Sequence, residues 1–340
     1  MVPDAPTQGF TSGQEGTMKV LPTLRQLRYL VTVEETRHFG RAAEVCAVTQ
    51  STLSAGIQEL EGLLGTRLIE RRSRRQVVFT PLGEEIVERA RALLADAEAL
   101  VDTAQAGAQP LVGELRLGVI PTIGPYVMPR LVRKVREGYP DLKLFLREEQ
   151  SATLLEMLNA GRLDAVLMAL PYAVGELPRV EVAEEDVVVT MPEDHPLSAL
   201  PAIPMDALER ESLLMLEDGH CLRDHAMEAC RMTRSRGNEA FQATGLSTLI
   251  QMVAGGIGLT LVPRIAVPVE VHAGSGVTVR PLLDGKAART LALFWRPASP
   301  RARDYRLLAG VIERAAREAL AEADTIISTL LAQTARQRRA

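Results

Sequence analysis

The segment "GHCLRDHAMEAC" at 219–230 carries two of the three cysteines in the 340-residue chain, Cys221 and Cys230, and crowds the first with His220, Arg223, Asp224 and His225. Two thiols this close can bind a soft metal ion, exchange disulfides, or join after one has been oxidised. The run C-x3-H-x4-C offers metal donors, with His220 or Asp224 in reserve, but it is not a usual zinc spacing. There is no CxxC, which weighs against a disulfide oxidoreductase or thiol peroxidase. A thiol of ordinary pKa is only about 3% ionised at pH 7, and cationic neighbours such as His220 and Arg223 would raise that by at most about 30-fold. A less basic thiolate is also a weaker nucleophile. Fast reaction with a peroxide therefore needs, in addition, donors aimed at the departing oxygen.

Spacing adds a mechanical constraint. If 222–230 is helical, nine steps hold the sulfurs about 13 Å apart along the axis and on opposite faces, whereas a disulfide needs Cα atoms within about 7 Å. Joining them must unwind or tilt that helix, so local oxidation becomes a change of shape. Cys46, among Ala and Val, reads as a small buried hydrophobe.

The elements that would position this chemistry follow from length and pattern. A chain of this size, 46% apolar, accommodates two or three domains. The first 20 residues read as a disordered leader without the features of a signal peptide, and Met18 offers an alternative start. No apolar run is long enough to cross a bilayer, and an odd cysteine count makes no disulfide framework. A cytoplasmic protein with no membrane partner, cofactor or metal is expected. The net charge is −4, yet residues 21–80 hold nine Arg against six Glu, with Arg71, Arg72, Arg74 and Arg75 in one "RRSRR" run. That local surplus suits nucleic acid.

Leu24, Leu27, Leu30, Val31 and Val33 make one helical stripe, and Ala42 and Ala43 allow a second helix to pack closely. Leu53, Ile57, Leu60 and Leu64 make a third helix, with Thr49 to cap it and Gly65 to end it. "TRLIERRSRRQVVFT" alternates like a two-stranded wing. This is a winged helix-turn-helix: Thr49, Gln50, Ser51 and Ser54 would meet base edges and the arginines phosphate. In 83–107, Ile86, Leu93 and Leu100 recur every seven residues beside Ala90, Ala97 and Ala104, a heptad seam for a second copy. Beyond "AGAQPLVG", strand-like runs alternate with helical ones, which predicts α/β layering with mostly parallel sheets. The strand-like runs are "ELRLGVIPT", "LKLFLREEQ", "LDAVLMAL", "DVVVTMP", "ESLLMLED", "AFQATG", "GLTLVP" and "RTLALFWRP".

Residues 22–83, through "FGRAAEVCAVTQSTLSAGIQELEGLLGTRLIERRSRR…FTPLG", resemble the DNA-binding domain of LysR-type transcriptional regulators. The double-cysteine segment, "GVIPTIGPY", "FQATGLSTL" and "RTLALFWRP" resemble the hydrogen-peroxide-sensing members of that family. The resemblance implies a winged helix-turn-helix (21–82), a linker helix at the dimer interface (83–107), and an α/β periplasmic-binding-protein-like regulatory domain of two subdomains (113–315), followed by a C-terminal helix and basic tail (316–340). It implies Cys221 as the peroxide-reactive thiol, Cys230 as the resolving one, and Thr122, Ser151, His220 and Arg289 as support. The implied partners are promoter double-stranded DNA, hydrogen peroxide, a thiol reductant, and further copies as dimer and homotetramer. Ser51 stands where many relatives have Pro, and Ser151 where they have Thr. A family member that binds a small effector in the inter-subdomain cleft is the alternative.

Overall fold

The computed structural model describes residues 20–73, 76–105, 110–223, 242–283, 288–297 and 299–337. The chain divides after Leu94 into two units.

In the first unit, α1 (Leu24–Thr36) opens on a capping box, Thr23 and Gln26 each bonding the other's backbone N–H. It packs with α2 (Phe39–Val45) and α3 (Gln50–Leu64) around Leu30, Val33, Ala42, Leu53 and Leu60, all fully buried. Thr49 caps α3 through its hydroxyl, which accepts from Thr52 N at 3.2 Å, and Gly65 ends it at φ 68°. The left-handed region is one that only glycine enters at no cost. The wing is an antiparallel pair, β1 (Ile69–Ser73) and β2 (Gln76–Phe79). Next comes α4 (Pro81–Gln105), whose first turns bury Val87, Ala90 and Leu94 in this same core. Arg91 anchors it to α1 by ion pairs with Glu34 and Glu35. Half of the heptad seam thus faces its own domain: Ala90 is buried, while Leu93 and Leu100 are 54% and 72% exposed. Cys46 is half-buried at the C-cap of α2, so the expectation of a buried hydrophobe is corrected.

The second unit is built on β3 (Gly113–Val119), β4 (Leu142–Glu148), β5 (Ala165–Leu170), β6 (Arg179–Pro192), β9 (Thr260–Pro263), β10 (Val277–Pro281) and β11 (Ala288–Trp295), in the order β10-β6-β11-β5-β3-β4 with β9 also on β6. β3 is parallel to β4 and β5, but β11 lies antiparallel between β5 and β6, and β6 is antiparallel to β9 and β10. The expectation of mostly parallel sheets is therefore corrected to a mixed sheet. The cause is topological: β11 returns from far along the chain and inserts against the direction of both neighbours. β6 serves two halves, pairing with β11 through 179–186 and with β9 and β10 through 187–192. "ESLLMLED" and "AFQATG" shrink to the two-residue parallel pair β7 (Met215–Leu216) and β8 (Gln242–Ala243). Helices α5 (Gly124–Gly138), α6 (Ser151–Asn159), α7 (Met205–Leu208), α8 (Leu246–Ala254) and α9 (Val267–Glu270) complete the layers.

The last helix, α10 (Ala302–Gln337), runs unbroken through 315. It pairs with α5 through Lys134–Glu318 and Arg130–Glu322, both 2.5 Å, and with the other half of the sheet through Arg264–Asp324 at 3.2 Å and Arg280 Nη2 donating to Thr334 Oγ1 at 2.5 Å. One rigid rod therefore touches both halves. It lies close because Ala315, Ala316, Ala319 and Ala323 are fully buried against the sheet side. Ala319→Leu is expected to lower unfolding stability by roughly 1–3 kcal/mol through overpacking. Ala321→Leu, on the exposed face, should leave it within about 0.5 kcal/mol; urea titration of both variants is the check.

Candidate functional site

β3 and β4 end side by side, and the chain leaves β3 towards β4 on one side and returns to β5 on the other. Such a switch of direction leaves a crevice beyond the carboxyl ends of the strands. Thr122 precedes α5 there, and Gln150 and Ser151 start α6. The segment after β7 closes the crevice. Together Ile120, Pro121, Thr122, Gln150, Ser151, Gly219, His220 and Cys221 line an interstice of about 160 Å³ of empty space, nowhere wide enough for a water molecule. Gly219 lies at φ 98°, a conformation that demands glycine, and a Cβ there would come within 2.6 Å of Gln150 Oε1 and displace that amide.

The buried Cys221 begins a helical turn, 221–223. Thr122 and Ser151 are each 1% exposed. Thr122 does not cap α5, whose N-cap position is Ile123 and has no side-chain bond. Its hydroxyl instead accepts from Arg289 Nη1 at 2.9 Å and its carbonyl from Nη2 at 3.0 Å. With the guanidinium donating to that oxygen, the hydroxyl's own proton must point elsewhere. Ser151 Oγ is buried and has no hydrogen-bond partner among the described residues. A hydroxyl so placed costs roughly 1–3 kcal/mol and marks a place where a polar ligand would be welcome.

Arg289 does not reach the interstice. Its Nε donates to Glu185 Oε1 at 2.9 Å, Nη2 lies 2.7 Å from the same oxygen, and Glu185 Oε2 accepts from Ile265 N at 2.9 Å. Both side chains are fully buried. Glu185 was not singled out in the sequence, and neither was Gln150, an uncharged residue far from Cys221 along the chain, nor Glu217, which lies four positions before Cys221 at the end of the strand-like run "ESLLMLED".

The expectation that His220 and Arg223 act as cations beside the thiol is corrected. Burial lowers the proton affinity of His220 below the ordinary imidazole value, opposed by Glu217 at 3.9 Å and by a backbone hydrogen bond at Thr244, and so favours the neutral ring. Arg223 donates from Nη1 to Leu216 O at 2.8 Å and pairs with Asp218 at 3.1 Å. Asp224, His225 and Cys230 lie outside the described residues, and with them both the 222–230 helix and the metal alternative. Among the described residues no three His, Cys, Asp or Glu stand together to hold a metal ion.

On the first unit Thr49, Gln50 and Ser51 are exposed and Ser54 half-buried. Thr49 Oγ1 lies 2.9 Å from Ser51 Oγ and 2.8 Å from Thr52 Oγ1, so Ser51 takes part in the cap. Arg71 and Arg72 lie on β1, and Arg74 and Arg75 fall outside the described residues. No helix among the described residues is long and apolar enough to cross a membrane.

Glu185→Leu strands a buried guanidinium and is expected to cost about 3–5 kcal/mol. Adding Arg289→Met to it should recover much of that loss. A double-mutant cycle by denaturant titration measures both.

Residues 24–84 match the bacterial regulatory helix-turn-helix protein, lysR family, and residues 108–317 the LysR substrate binding domain. The chain is 41% identical over 289 residues to the DNA-binding transcriptional dual regulator OxyR of Escherichia coli K12, covering 85% of this chain and 94% of that one. It is 42% identical over 298 residues to a probable hydrogen peroxide-inducible genes activator of Streptomyces viridosporus, covering 87% and 95%. Among solved structures, a full-length cysteine-to-aspartate variant of OxyR from Pseudomonas aeruginosa superposes with a TM-score of 0.73 at 38% identity, over 86% of this chain and 98% of that one. A cysteine-to-serine mutant of Corynebacterium glutamicum OxyR, described as H2O2-bound, gives 0.64 at 36% identity over 91% and 97%. The chain belongs to the LysR family of bacterial helix-turn-helix regulators.

Proposed function

We propose that this protein is a DNA-binding transcriptional regulator that reads hydrogen peroxide through Cys221. The observation that carries the reading is the orphaned, buried Ser151 hydroxyl in the same closed interstice as Cys221 and Thr122. A neutral diatomic core with two O–H groups is the kind of ligand that could satisfy it, once the walls of the interstice part to admit it. The peroxide-inducible activators among the relatives, and the neighbour described as H2O2-bound, support the same reading.

In the reaction the Cys221 thiolate attacks one peroxide oxygen, the S–O bond forms and the O–O bond breaks. The departing hydroxide takes a proton and leaves as water, with the Thr122 and Ser151 hydroxyls as donors to the growing charge. Arg289 orients Thr122 from behind. The Cys230 thiolate then attacks the sulfenic sulfur, forming the S–S bond as the S–O bond breaks; the hydroxide released takes a proton from solvent to become a second water, and a thiol reductant resets both sulfurs. Thr49, Gln50, Ser51, Ser54 and the wing arginines 71, 72, 74 and 75 engage promoter DNA. A second copy covers the exposed Leu93, Leu100 and Val101 of α4, placing two recognition helices about 34 Å apart; dimers pair into a tetramer.

Sub-stoichiometric peroxide followed by peptide mass mapping, beside DNA footprints of both redox states, is the test. The expected product is a 221–230 disulfide with an altered footprint, a sulfenic acid alone in Cys230→Ser, and no response in Cys221→Ser. A peroxide response that survives Cys221→Ser, or a disulfide to Cys46, overturns the reading. Leu93→Lys with Leu100→Lys is expected to give a monomer in sedimentation and weaken operator binding by at least about 100-fold; an unchanged dimer would rule out the α4 interface.

A further inference from the structure

Gln150 holds the N-cap position of α6, yet its side chain does not cap that helix. The amide crosses the cleft instead. Its Nε2 donates to Glu217 Oε1 at 3.1 Å and stands 3.5 Å from His220 Nε2, while Oε1 rests over Gly219. Glu217 fixes this orientation, because the flipped amide would set two acceptor oxygens 3.1 Å apart. An amide nitrogen carries two hydrogens. The carboxylate takes one, and the other faces a ring nitrogen that can receive it only with its lone pair unprotonated. A hydrogen bond with the Thr244 backbone favours a proton on the ring, and with Nε2 accepting from the amide the neutral ring's one proton belongs on Nδ1.

We propose that Gln150 is a positioning residue of the Cys221 cleft: its amide, oriented by Glu217, holds His220 as a hydrogen-bond acceptor at Nε2 and ties the segment 217–221 to the start of α6. The inference rests on the peroxide reading for its purpose, though not for its geometry. Among the described residues, the groups facing His220 are Glu217 on its own segment, the Gln150 amide from α6 and the Thr244 backbone beyond β8, while Arg223 and Asp218 are turned to each other. Glu217 is the charge that would protonate the ring if the amide did not engage it. In the position of Gln150, leucine fills similar space but supplies no donor and releases the carboxylate.

The test is the titration of His220 by NMR in the full-length reduced protein, alongside the rate of Cys221 sulfenic acid formation with hydrogen peroxide in a Cys230→Ser background. In Gln150→Leu the His220 midpoint is expected to rise by about one pH unit, tenfold in proton affinity, and oxidation to slow roughly tenfold. Adding Glu217→Gln should return the midpoint to the wild-type value or below, whereas loss of a merely structural tether would be indifferent to that charge. Glu217→Gln alone, which keeps the amide, should not raise the midpoint. A midpoint unmoved in Gln150→Leu, one still raised in the double variant, or one raised by Glu217→Gln alone overturns the proposal. Absence of any sulfenic acid at Cys221 in the parent protein would instead sink the peroxide reading, and the titration would still judge the geometry.

Discussion

The buried pair Arg289–Glu185 is the interaction on which the regulatory unit turns. The two residues are direct cross-strand partners on β11 and β6, and both side chains are out of water. Removing two charges from solvent costs several kcal/mol per ion unless each remaining donor and acceptor is met. Here they are met by groups from separate parts of the fold: Thr122 ahead of α5 supplies two acceptors and Ile265 supplies a donor. The pair sits close to where β6 passes from its β11 partner to its β9 and β10 partners. A movement of one half against the other would therefore strain these bonds first. A second polar knot backs it, Glu270 accepting from Tyr126 Oη at 2.8 Å and Ser247 Oγ at 2.6 Å. The Tyr126 phenol there is held firmly protonated by burial and by the carboxylate.

What the sequence disclosed and what it hid divide along contact range. Helices α1 and α3 were legible because their stripes, Thr49 and Gly65 are local signals that no distant partner needs to confirm. The direction of β11 was not, because alternation of strands and helices says nothing about where a late strand inserts. β10 was missed: four residues, Val277 to Arg280, between a glycine turn and Pro281 look like loop until β6 pairs with them. Glu185 was hidden most completely, since an acid in "EED" is buried only by virtue of an arginine 104 residues later.

Charge at the thiol shows how tertiary structure overrides a sequence neighbour. His220 and Arg223 flank Cys221 on the chain, and a linear reading makes both into cations that would ionise it. In the fold burial disfavours a proton on the imidazole, and the guanidinium is engaged by Leu216 O and Asp218. On the proposed reading, stabilisation of developing negative charge would come from oriented dipoles: the N-terminal end of α6, which opens here, and hydroxyls with protons to give. Dipoles of this kind act on a charge at contact range and fade with distance, unlike a net cation. They would steer no anion in from solution. On the proposed reading, a cleft too narrow for a water molecule until its walls part would admit only a small ligand, held by hydrogen bonds and not by net charge. Size exclusion also bears on reset: a bulky reductant cannot reach Cys221 inside a closed interstice, so on the proposed cycle reduction has to follow a change of shape that brings the oxidised sulfur to the surface. The same conformational change would then serve both as the signal and as the condition for ending it.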